Sequence, residues 1–200
     1  MKWRQYLFSH LLRRASRVHE PMIAARKREL FAAVAGDVLE IGPGTGVNFR
    51  YLPAGVRWTG YEPNRFLARQ IQLPAKAKLH TKPFLGEEAA AFDWGISTLV
   101  LCSVPDPLAT LRDLWKALRP GGKLILVEHV AAEAGSRLRR SQERWRPLWS
   151  CAGDGCQPNR DTETMLGQAG FTVLEMERFT LPLWLASPHI AGLAQKPQAQ

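Results

Sequence analysis

Two hundred residues, 46% of them hydrophobic and 22% charged, are enough for one domain with its own core, and they exclude a disordered or low-complexity chain. No window holds the roughly 20 apolar residues of a membrane-spanning helix, and arginines interrupt the amino terminus where a secretory signal needs an unbroken apolar run. The net charge of +9 gathers at Lys2, Arg4, Arg13, Arg14, Arg17, Arg26, Lys27 and Arg28, with a second group at Arg137, Arg139, Arg140, Arg144 and Arg146.

Residues 3 to 18 set Trp3, Tyr6, Leu7, Leu11 and Leu12 near one face of a helix and most arginines elsewhere. Such a helix covers a core with a solvated basic face, docks on an anionic membrane surface or steers an anionic substrate. No aromatic stacking pattern favours nucleic acid. A second helix is expected from Pro21 to about Val34, with the proline in its first turn. Residues 1–35 thus read as amino-terminal helices belonging to the domain that follows.

Val38 to Ile41 is an apolar strand carrying one acid, Glu40, and it breaks into Gly42-Pro43-Gly44-Thr45-Gly46-Val47-Asn48. Glycines at 42 and 44 let backbone approach a ligand closely. The dinucleotide fingerprint needs a third glycine at position 47, where Val47 stands. A short helix follows to Tyr51, and Val56 to Tyr61 forms a second strand ending in Glu62-Pro63-Asn64. Sixteen residues beyond Gly46, a crossover brings the Glu62 carboxylate beside the glycine loop, where it suits the two hydroxyls of a ribose. Asn64 caps a helix to Gln72, and a weak third strand is expected at Lys78 to Thr81. Ile96 to Cys102 reads as a buried strand and Leu108 to Leu118 as a helix. Lys123 to Glu128 is another strand, after a turn at Pro120-Gly121-Gly122. Alternating strands and helices define an α/β, Rossmann-like doubly wound sheet. Its ligand lies at the carboxyl ends of the strands, among the Gly42 loop, Glu62, Cys102-Ser103 and His129.

Residues 131–159 form an insertion placed to cover an acceptor pocket. Trp145, Leu148 and Trp149 fall at helical spacing within it, and Gly153-Asp154-Gly155 makes a tight turn. Asp161 to Ala169 is a last crossover helix. Phe171 to Thr180 and Ser187 to Ala194 close the sheet as an antiparallel pair, so that seven strands are expected, mostly parallel, with one antiparallel strand near the carboxyl terminus. The domain is expected over 36–195 and a frayed tail over 196–200. Cysteines number three, at 102, 151 and 156, and they form neither a disulfide framework nor a four-ligand zinc pattern. Cys151 and Cys156 would need histidines from elsewhere to hold an ion, so no metal is expected, and a cytoplasmic setting is.

Four segments, Val38 to Asn48, Gly60 to Asn64, Leu101 to Val104 and Leu118 to Gly122, resemble the motifs of class I S-adenosylmethionine-dependent methyltransferases in order and spacing. Lys27-Arg28-Glu29-Leu30-Phe31, Glu128-His129-Val130-Ala131, Asp154-Gly155-Cys156, Arg160 with Thr162, and Pro188-His189-Ile190 are similar to the alkyl-thiol S-methyltransferases among them. The chain departs from those relatives in lacking a long apolar amino-terminal anchor, in carrying Pro43 where cysteine is frequent, and in having Glu62 where they carry aspartate.

The resemblance implies S-adenosylmethionine as cofactor, held by Glu40, Gly42, Pro43, Gly44, Gly46, Asn48, Glu62, Pro63, Gly86, Glu87, Cys102 and Ser103. Gly86 and Glu87 stand where this fold places its adenine loop. It implies an apolar thiol as acceptor, in a pocket including Val104, Trp145, Trp149 and Cys156. His129 and Asp154 are the candidate catalytic groups: His129 either accepts the thiol proton or hydrogen-bonds the backbone beneath the pocket. Two alternatives stand beside this reading. One is a methyltransferase for a phospholipid, amine or hydroxyl, which the basic helix motivates. The other is a non-catalytic cofactor-binding module. Either way the chain is expected in the cytoplasm, with peripheral membrane attachment through the first helix as an option.

Overall fold

In the computed structural model, which describes residues 2–198, seven strands form one sheet in the order β3-β2-β1-β4-β5-β7-β6. The strands are β1 (Asp37–Ile41), β2 (Arg57–Tyr61), β3 (Lys78–His80), β4 (Phe92–Thr98), β5 (Leu118–His129), β6 (Thr172–Thr180) and β7 (Pro188–Gln195). Pairings through β5 are parallel, and β7 runs antiparallel to both β5 and β6, as expected. Alternate residues of β5 divide between two cores because successive side chains of a strand face opposite ways. Leu124 and Leu126 join Leu39, Leu111, Leu114 and Leu166 on one face. Ile125 and Val127 join Ile23, Phe31, Val38 and Trp58 on the other. Strand order reverses between β1 and β4, and the loops after these two strands open a crevice there.

Helices are α1 (Lys2–Phe31), α2 (Arg65–Ala68), α3 (Pro107–Ala117), α4 (Arg137–Ala152) and α5 (Thr162–Gln168). The two expected amino-terminal helices are one, with Pro21 inside it. Proline removes one N–H donor, but contacts hold the helix on both sides of it. Ile23 and Phe31 are fully buried, while Tyr6 packs edge-on against Phe66 and the Gln5 carbonyl accepts from Asn64 Nδ2. The expected apolar face does not all turn inward either: Leu12 does, beside Phe8, which the expected face does not include, whereas Trp3, Tyr6 and Leu7 are exposed and the side chain of Leu11 lies outside the described residues.

Three further expectations are corrected. The helix after Asn64 is a single turn, although Asn64 caps it as foreseen, accepting from the amides of Phe66 and Leu67. Strand β4 ends at Thr98, four residues before the expected Cys102. The apolar run continues past it because Leu101 and Cys102 are buried in a turn, in which Leu99 has φ 58°. The tail begins later than position 196. Lys196 is buried, its amide donating to Gly122 O and its Nζ to Leu118 O, with Nζ 4.0 Å above the Trp115 ring. Residues 199–200 of the expected tail lie outside the described residues.

Candidate active site

After β1 the chain turns through Gly42 (φ 54°), Gly44 (φ 61°) and Gly46 (φ 79°) into a 3-10 turn, Val47–Arg50. A side chain at Gly42 would sit 2.6 Å from Val100 Cγ2, so this glycine is required by packing. One at Gly44 would meet only Leu12, at 4.0 Å, so bare backbone there faces open space. Glu40 lies beneath the loop rather than in the cavity. Its buried carboxylate accepts from Asn48 Nδ2 (2.7 Å) and Trp58 Nε1 (2.8 Å), which ties the loop's end to β1 and β2. Burial pushes its pKa up, against those two donors. Asn48 lines the cavity with Oδ1 buried and without a protein donor. Glu62 accepts from Gly44 N (2.9 Å) and Asn64 N (2.8 Å), one bond to each carboxylate oxygen, leaving acceptor capacity on both. Burial raises its pKa to about 7 despite these two amides.

The loop forms one wall of a cavity of about 610 Å³. Opposite it stand Cys102, His129, Trp149, Cys156 and His189, and α1 closes the side with Phe8, Leu12, Ala15 and His19. Specific contacts place each group. Glu128 Oε1 accepts from Ser97 Oγ (2.7 Å) and the amides of Val100 and Leu101, holding the turn that carries Cys102. The Gln157 amide donates to Cys102 O (2.8 Å), bringing the segment after α4 against that turn. Fully buried Gln142 anchors α4 itself, its Nε2 shared among the carbonyls of Val130, Pro158 and Leu185 and its Oε1 taking the Ala132 amide.

The Cys156 sulfur lies 3.2 Å from His129 Nε2 and 3.2 Å from Trp149 Nε1, which donates to it. The adjacent Cys102 sulfur and then burial push the Cys156 thiol above its ordinary range. Burial lowers the pKa of His129, but the hydrogen bond and charge of Cys156, with Glu128 behind them, outweigh it and hold the imidazole above its ordinary value. His19 and His189 meet Nε2 to Nε2 at 2.9 Å. His189 Nδ1 faces Ser187 O at 3.1 Å and so carries that ring's proton, making its Nε2 the acceptor of the His19 Nε2–H. Burial first, then neighbouring positive groups, lower both to about 4.

Of the residues expected at the site, Gly42, Pro43, Gly44, Asn48, Cys102, Ser103, His129, Trp149 and Cys156 share this cavity. Glu62 reaches it through Gly44. Gly46, Pro63, Gly86, Glu87, Val104, Trp145 and Asp154 are not in its lining. Glu87 pairs with Lys82, Trp145 is 40% exposed and packs toward Trp184, and Asp154 occupies a left-handed turn position (φ 50°) that aspartate tolerates. His19, Lys27 and Leu12 line the cavity unforeseen. Leu12 was marked in the sequence only by the apolar face of the first helix and Lys27 only by the resemblance of its segment, while nothing marked His19.

A family model described as a methyltransferase domain matches residues 2–176, and the chain belongs to that family. Among curated proteins, it is 37% identical to the human thiol S-methyltransferase TMT1B, covering 96% of this chain and 85% of that one. Identity is 35% with human thiol S-methyltransferase TMT1A, over 98% and 86%. Among solved structures, the Burkholderia thailandensis 1,6-didemethyltoxoflavin-N1-methyltransferase with bound S-adenosylhomocysteine superposes with TM-score 0.68 at 19% identity, over 98% of this chain and 88% of that one.

Proposed function

We propose that this chain is an S-adenosylmethionine-dependent methyltransferase whose acceptor is a small apolar thiol. One observation carries the reading: a single cavity joins the glycine loop to a wall of sulfur and imidazole groups. The backbone at Gly42 to Gly44, Asn48 and Glu62 would hold the cofactor, and the unpartnered Asn48 Oδ1 and the open space at Gly44 fit a ligand with hydrogen-bond donors. When bound, S-adenosylmethionine supplies a methyl group on a positively charged sulfur. Everything else the protein contributes is positioning and exclusion of water, worth several kcal/mol.

At the far wall a thiol finds apolar surface, the neutral His19 and His189 pair and the His129 imidazole. An acceptor thiol must lose its proton, with an ordinary pKa of about 8.5, and His129 is placed to favour that loss. Curated relatives named thiol S-methyltransferases support the same choice. Matched thiol, amine and alcohol acceptors of one carbon skeleton, assayed by release of S-adenosylhomocysteine, test it. Turnover confined to the thiol is expected, and turnover of the amine with none of the thiol would refute it.

A second reading concerns place rather than chemistry. Trp3, Tyr6 and Leu7 lie at helical neighbour spacing and are 69%, 53% and 50% exposed, with exposed Arg13, Arg14 and Arg17 further along α1. We infer that this end of the helix attaches to anionic membrane from the cytoplasmic side. Co-sedimentation with phosphatidylserine vesicles is expected, weakened at least fivefold by Trp3→Ala with Leu7→Ala. Equal binding to neutral vesicles would contradict the charge contribution.

A further inference from the structure

The cavity's far wall contains a feature that methyl transfer by itself does not call for. Cys102 Sγ, His129 Nε2 and Cys156 Sγ come from three separate segments, yet their ligand atoms all lie within 4.8 Å of one another. Cys102 and His129 are buried, Cys156 is half-buried, and all three line the cavity. We propose that Cys102, His129 and Cys156 bind one zinc ion whose fourth coordination position opens into the cavity and takes the sulfur of the acceptor.

The donor set selects the metal. Two thiolates and one imidazole suit zinc, and three protein ligands with one open position are the arrangement of reactive zinc sites rather than closed structural ones. Zinc bonds of about 2.0 to 2.3 Å in a tetrahedron place ligand atoms roughly 3.5 to 3.8 Å apart. His129 Nε2 and Cys156 Sγ stand at 3.2 Å, close to that edge, and the widest separation has to close by no more than about 1 Å. Trp149 Nε1 donates to Cys156 Sγ, as outer groups around a ligating thiolate do. Packing fixes the ligands in place, through Glu128 for the Cys102 turn and through the Gln157 amide for the Cys156 segment.

Resting on the thiol reading, the site gives the acceptor a route for losing its proton. On binding the ion, Cys102 and Cys156 each release one proton to solvent. The acceptor R–SH then displaces a water molecule at the fourth position, its S–H bond breaks, its proton leaves with solvent, and its sulfur stays as a metal-held thiolate facing the cavity. His129 is thus a ligand, which gives it a different role from a proton acceptor. The pair that matters is Cys102 with Cys156, because Cys151 is exposed and outside the cluster.

The test uses the full chain, purified in reducing buffer without chelator. Elemental analysis is expected to find about one zinc per chain. In a chelated sample, added Zn2+ is expected to shield Cys102 and Cys156 from alkylation at least tenfold, with Cys151 unshielded, and Co2+ is expected to give thiolate-to-metal charge-transfer absorption. Cys102→Ser and Cys156→Ser should each weaken Zn2+ binding at least tenfold, and Cys151→Ser should not. Alkylation of the unaltered chain is decisive even if a variant fails to fold. Less than a tenth of an equivalent of metal together with no shielding would overturn the proposal, as would full retention of zinc in both variants. Thiol methylation is measured separately on the same samples. Thiol turnover that survives chelation unchanged overturns the zinc site alone, whereas bound zinc with turnover only of an amine overturns the thiol reading alone.

Discussion

The two ends of the cavity are built in different ways. The glycine end is one contiguous stretch, residues 42 to 48, made mostly of backbone and steadied by Glu40 and Glu62. The sulfur and imidazole end is made of side chains from α1, the turn after β4, the end of β5, the segment after α4, and β7. A backbone site tolerates change outside its glycines, because any side chain leaves the amides in place. An end assembled from single side chains changes its chemistry with each substitution, so the first end fits a fixed cofactor and the second a chosen acceptor.

The largest expected effect that separates the ends is at Gly44. Gly44→Ala places a side chain where only Leu12 lies within 4.0 Å, so the fold should lose only about 1 kcal/mol for the left-handed backbone. On the proposed binding mode the new methyl enters the cofactor's space, and calorimetry is expected to show cofactor affinity about 100-fold weaker, the roughly 3 kcal/mol of a steric and backbone conflict. Unchanged affinity would mean that the open space above Gly44 is not the cofactor's.

Next comes Glu62. Glu62→Ala is expected to weaken cofactor binding about tenfold or more by leaving donors unpaired. With its pKa raised to about 7, Glu62 takes up a proton as pH falls through that value and loses acceptor capacity. Affinity should therefore rise between about pH 6 and 8, and Glu62→Gln should flatten the profile.

The histidine pair supplies a stability effect at the other end. His19 and His189 have folded pKa values of about 4, below the ordinary 6.5, so the folded protein refuses protons that the unfolded chain accepts. Their contribution is complete above pH 6.5 and is lost as pH falls from 6.5 toward 4, on the order of 2 kcal/mol. Glu62 acts oppositely, since its raised pKa favours the fold as pH falls from 7 toward 4.5. The difference between urea titrations of the unaltered chain and His189→Gln cancels Glu62 and should isolate the histidine slope. The smallest effect is expected from Trp145→Ala: this ring is 40% exposed and lies outside the cavity, so KM for a thiol should move less than about twofold.

This contrast also explains what could be read from the sequence. Gly42, Gly44, Asn48 and Glu62 were legible because a strand ending in glycines and the acid one crossover later have local spacing rules. Seven strands and the antiparallel β7 followed from alternating patterns in the same way. Asp154 and Trp145 stand near Cys156 and Trp149 in sequence, but turn geometry and helix phase put them elsewhere. The pairing of Cys156 with Cys102 and of His189 with His19 joins residues 54 and 170 positions apart, and no local rule reports such contacts. Even β4 was displaced, because a buried turn and a buried strand leave the same apolar run.

Both ends meet in one cavity only if a single substitution can damage acceptor chemistry and spare the cofactor, and His129→Asn puts that division to the test directly. Calorimetry and thiol-methylation kinetics on this variant should show cofactor dissociation within about twofold of the unaltered chain, with kcat/KM for the thiol reduced about 100-fold or more. Equal loss of both, or thiol turnover that is unaffected, would contradict the placement of the acceptor at the sulfur and imidazole wall.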